Sequence, residues 1–158
     1  MSILGIVHTT ISIAAIIVSL VSLIKDGYIL PLSKTGKIYS VLNAGACITS
    51  FWLSKSGHFN PGHAIGILVL LCLTTAYLLA NKTTAWLQYL TVFCMSFSLF
   101  LSLVPAVNET LSRLPIGHPI ANGPDSFIVQ STIKLLLLLF VIGVVLQIRK
   151  VRRRGEGS

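Results

Sequence analysis

The stretch IVQSTIKLLLLLFVIGVVLQI at residues 128–148, followed at once by RKVRRR at 149–154, decides the fold class. A helix needs roughly 20 apolar residues to cross about 30 Å of hydrocarbon, and this run meets that length. A bilayer core offers no water, so the backbone must satisfy its own hydrogen bonds, and the segment reads as a membrane-spanning α-helix. Arg149, Lys150, Arg152, Arg153 and Arg154 stand where the helix leaves the apolar layer. Cations in that place hold a helix end in the cytoplasm and attract anionic lipid headgroups. Residues 1–148 are therefore expected to form a transmembrane helical domain and 149–158 a basic cytoplasmic tail.

Working back towards the N-terminus, four further apolar runs occupy 3–24, 38–53, 64–80 and 86–107. The run at 38–53 is the shortest and carries Asn43, Cys47, Thr49 and Ser50. It reaches spanning length only with Lys37 and Ser54 counted at its ends; without it there are four spans. The whole chain of 158 residues is 54% hydrophobic and 10% charged, with a mean hydropathy of +0.87. Soluble domains carry about 25% charged residues, so most of this surface faces lipid or other helices. The expected fold is all-α, an integral membrane helical bundle of five transmembrane helices. The first run has no Lys or Arg before it, is too long for a signal-peptide core and lacks a small-residue cleavage site, so it reads as an uncleaved span.

The connections at 25–36, 55–63, 81–85 and 108–127 carry the Gly and Pro of turns. Positive charge orients the spans. With the C-terminus inside, the inner side holds Lys25, Lys34, Lys37, Lys82 and the 149–154 cluster. The outer side holds Lys55 and Arg113, with Lys134 near the outer end of the last span. The expected topology is N-terminus out and C-terminus in. Trp52, Trp86 and Tyr28 fall near the expected interfaces, where amphipathic rings favour the headgroup level. The net charge of +8 is explained by this placement, and with no basic domain or aromatic platform nucleic acid is excluded as a partner.

This topology puts His8, His58, His63 and His118 towards the outer face, with Glu109 and Asp125 bounding the last loop. Gly5, His8, Ser12, Ala15, Ser19 and Ser22 recur at three- and four-residue steps, a small or polar stripe suited to close helix packing. Ionisable side chains within a span are costly and point to function. His63, Gly66, Leu70, Thr74 and Tyr77 share a face of the third run. If that face meets the first helix, His8 and His63 could ligate a haem or a transition metal between them. His58 and His118, with Glu109 or Asp125, would complete a metal shell. A third stripe, Thr91, Met95, Ser98, Ser102, Pro105 and Glu109, marks the fourth run, where Pro105 bends the helix end. No Asp or Glu lies in the middle of a span, which argues against a proton- or sodium-coupled transporter. No H-E-x-x-H, G-x-S-x-G or phosphate-loop motif is present. Cys47, Cys72 and Cys94 form no C-x-x-C pair and read as small helix-packing residues.

The segments 34–39 (KTGKIY), 57–68 (GHFNPGHAIGIL) and 108–119 (NETLSRLPIGHP) resemble a family of small bacterial multi-pass membrane proteins of unknown function. The resemblance implies a helical inner-membrane protein, with Gly36 and Tyr39 beginning one helix and His63 the next. Many such sequences carry a histidine before the first of these glycines; Lys34 and Thr35 stand here instead, one ligand fewer. Three functions follow from these readings. The first is a non-enzymatic accessory or scaffold, acting with a membrane partner or a second copy of the chain. The second is a haem- or metal-binding redox module using His8 and His63. The third is a zinc-dependent membrane hydrolase with zinc bound by histidines such as His58 and His118, and Glu109 or Asp125 as its base.

Overall fold

The computed structural model describes residues 3–53 and 60–155. Among these the chain forms five α-helices and no strand: α1 (Ile3–Asp26), α2 (Lys34–Leu53), α3 (Pro61–Leu79), α4 (Ala85–Arg113) and α5 (Phe127–Gly155). By length and composition α1, α3, α4 and α5 are able to cross a membrane. The more polar α2 buries Tyr39, Ser40 and Asn43 within the bundle.

Local chemistry sets the helix ends. Ser33 Oγ accepts the Gly36 N–H at 3.0 Å, a side-chain cap that starts α2 four residues before the expected apolar run. Asn60 Oδ1 accepts the His63 N–H at 3.1 Å, and Pro61 follows at the first helical position of α3, where a missing N–H costs nothing. Gly27 leaves α1 with φ +80°, a conformation that favours glycine. α4 runs through Pro105 to Arg113, so Glu109 lies on a helix and the expected loop at 108–127 contracts to 114–126. α5 continues unbroken through Arg149–Arg154. The basic segment through Arg154 is thus helical, and its cations complement the partial negative charge of the helix C-terminus.

α1 packs on α2, α2 on α3, α3 on α4 and α4 on α5, while α1 also meets α4. In its most apolar window α4 is 44% buried against 11% for α5, so α4 lies in the core and α5 clasps one side. The small stripe of α1 faces inwards as expected, with Gly5, Ala15, Ser19 and Ser22 buried. On α3 the expected stripe is displaced: the core face is Gly66, Val69, Leu73 and Ala76, and Thr74 is exposed.

Two chemically different seams flank α4. Towards α2, Tyr39 Oη is 2.7 Å from Ser98 Oγ, Asn43 Nδ2 donates to Tyr39 Oη at 2.8 Å, and Ser102 Oγ donates to Asn43 Oδ1 at 2.9 Å. Towards α5, Phe140 sits 5.1–5.9 Å from the rings of Phe93, Phe97 and Phe100, and Ser96 donates to Gln147 Oε1 at 2.8 Å.

Candidate functional site

The two ends of the bundle carry different chemistry. At one end lie the start of α1, the end of α2 and the start of α3, joined by contacts of His8 and His63. His8 Nδ1 is 3.0 Å from Ala46 O and 2.9 Å from Thr49 Oγ1. A carbonyl only accepts, so Nδ1 carries the proton and the imidazole joins α1 to α2. His63 belongs to the cap of α3: its Nδ1 accepts the Asn60 N–H at 3.4 Å, and its ring lies 5.4 Å from Phe51 at 45°. The α-helix turns about 100° per residue. Thr49 and Phe51, two positions apart, therefore point about 200° from one another around α2. The histidines address opposite faces of that helix, which stands between them instead of letting α1 meet α3.

The remaining candidates are dispersed. His118 is exposed in the 114–126 segment, where its backbone N–H donates to Pro115 O at 3.1 Å. Glu109 pairs with Arg113 on the surface of α4. Asp125 is exposed, and His58 lies outside the described residues. Among the described residues no three His, Cys, Asp or Glu side chains gather closely enough to hold a metal ion.

No family model, curated protein or solved structure matches this chain.

The opposite end is organised. Three separate segments meet there: the α1–α2 connection, the α3–α4 hairpin and the end of α5. The connection reads as a plain loop in the sequence, yet Tyr28, Ile29 and Pro31 are buried. Arg154 donates to the Tyr28 Oη at 2.8 Å, and its guanidinium carbon lies 5.4 Å from the ring centroid. Lys150 extends across Gly27 and fills the space a side chain there would take. Between these segments lies a recess of about 200 Å³, whose walls include Tyr28, Pro31, Lys82, Gln88, Thr91 and Val151. Sequence patterns mark Tyr28, Lys82 and Thr91 separately but do not bring them together, because they are far apart in the chain. The one available signal is Tyr28-Ile29-Leu30-Pro31-Leu32, an apolar run in a connection, which has to be covered by something.

Proposed function

We propose that the chain is a multi-pass protein of a bacterial inner membrane that crosses five times, N-terminus out and C-terminus in, and serves as a non-enzymatic scaffold or accessory. One observation carries this reading: interior polar side chains are spent on tying helices together. Thr35 bonds Ser22 at 3.3 Å and His8 bonds Thr49 between α1 and α2, Tyr39 and Asn43 engage Ser98 and Ser102 between α2 and α4, and Ser96 engages Gln147 between α4 and α5. In an apolar medium such pairs hold helices at fixed register. The segments resembling small bacterial membrane proteins, and the gathering of Lys and Arg at one end, support the placement and orientation.

The outward flank of α5, including Leu135, Leu138 and Ile142, is offered to lipid and to a partner helix, either another protein's or a second copy's. A photo-crosslinking amino acid at position 138, activated in intact membranes, is expected to give a discrete adduct of one partner mass. Monomer alone at every outward position of α5 contradicts the scaffold. The same preparation, expressed with haem supplementation, is expected to show no Soret band and no stoichiometric zinc or copper. A stoichiometric cofactor lost in His8→Ala would favour the redox reading instead.

A further inference from the structure

The recess at the basic end is walled mostly by apolar side chains, and Lys82, Gln88 and Thr91 stand out among them as polar groups able to meet an anion. Lys82 brings an ammonium from the α3–α4 hairpin. Gln88 contributes an amide whose bond to Thr83 O is long, 3.4 Å, and thus easily exchanged. Thr91 contributes a hydroxyl that donates to an anion on turning away from Leu87 O, its acceptor at 2.9 Å. Arg154 fixes the Tyr28 wall, and Lys150 lies over Gly27 beside it. Asp26 is the single described carboxylate near these groups. The recess is smaller than the roughly 300 Å³ where drug-sized ligand pockets begin. A phosphate with a short substituent suits that size, whereas a whole nucleotide does not.

We propose that this recess binds a phosphate group, carried by an anionic phospholipid headgroup or present as free phosphate, with Lys82 as the cation that meets it. Tyr28 and Pro31 line the apolar side, against which the glycerol portion of a headgroup rests. The proposal depends on the membrane reading above only in that the basic end lies at headgroup level. Its chemistry can be tested without knowing which side of the membrane that end faces.

The test uses the full chain in neutral detergent, titrated separately with dioleoylphosphatidylglycerol and dioleoylphosphatidylcholine and read by native mass spectrometry. The first phosphatidylglycerol adduct is expected to bind at least tenfold tighter than the first phosphatidylcholine adduct. Lys82→Gln, on an exposed hairpin tip, is expected to weaken that adduct at least threefold, and the addition of Gln88→Leu and Thr91→Val at least tenfold. Arg149 and Arg153 lie two positions either side of Val151 and so point about 200° from it on α5. Replacing both with Gln removes two charges from the far face and is expected to change the first adduct less than twofold. Titration with potassium phosphate against potassium chloride at equal ionic strength separates the sources. Displacement by millimolar phosphate assigns the site to free phosphate, and retention of the lipid assigns it to a headgroup; both support a phosphate site. Equal binding of the two lipids, with no adduct formed by phosphate itself, overturns the proposal. So does a far-face variant that loses as much as Lys82→Gln, since binding would then follow net charge and not the recess.

Discussion

The histidine end and the basic end of this bundle differ in how their polar residues are used. At the histidine end three of the candidate ligands are engaged locally. His8 ties α1 to α2, His63 caps α3, and Glu109 pairs with its helical neighbour Arg113. At the basic end residues from distant parts of the chain converge, Tyr28 with Arg154 and Gly27 with Lys150, and enclose a recess. Sharing a side of a membrane therefore does not make a site. The helix lying between two side chains decides whether they meet, and here α2 separates the imidazoles.

The largest test of this contrast is Gly36→Ala. A methyl group there would meet the Leu30 carbonyl oxygen, a backbone atom that cannot move without the packed connection. Overpacking of this kind costs about 2 kcal/mol or more. Denaturation in mixed micelles, followed by helical circular dichroism, is expected to show a destabilised protein with a disrupted basic end; wild-type stability would mean the connection is not packed as described. Next comes Asn60→Ala, which removes the side-chain cap of α3 at the histidine end. Loss of an N-cap typically costs about 1 kcal/mol, and the same denaturation measurement checks it. Arg154→Gln removes the bond and the ring contact to Tyr28. A comparable loss of about 1 kcal/mol is expected for that charge-assisted contact, accompanied by faster hydrogen exchange at Tyr28 and Ile29; unchanged exchange there would separate the two segments. The smallest effect belongs to His8. A double-mutant cycle of His8→Ala with Thr49→Val is expected to give a coupling of about 0.6 kcal/mol, the usual size for a hydrogen bond between membrane helices. Zero coupling would remove the tie between α1 and α2.

Helical class was legible in the sequence because hydrocarbon thickness demands long apolar runs, and 128–148 satisfies that demand without tertiary help. The inward stripe of α1 was legible as well, since small residues at helical spacing favour close approach and Ala15, Ser19 and Ser22 are buried accordingly. Helix ends were less so. α2 starts at Lys34 because Ser33 caps it, α4 passes Pro105, and the basic run remains helical, all local effects that an apolar count does not register. Of the candidate residues, His8 was correctly drawn to a helix interface, but its neighbour depends on the order in which helices pack. The recess was hidden for the same reason: Tyr28, Lys82 and Val151 come together only once α1, α4 and α5 are assembled.

The placement of the two termini tests the account most directly. Paired reporters, one active only in the cytoplasm and one only outside it, can be fused in turn to the N-terminus and to the C-terminus after the basic run. Five crossings give the outside signal from the N-terminal fusion and the cytoplasmic signal from the C-terminal one. Both fusions reporting from one compartment would mean an even number of crossings, and the orientation proposed for the basic end would fall with it.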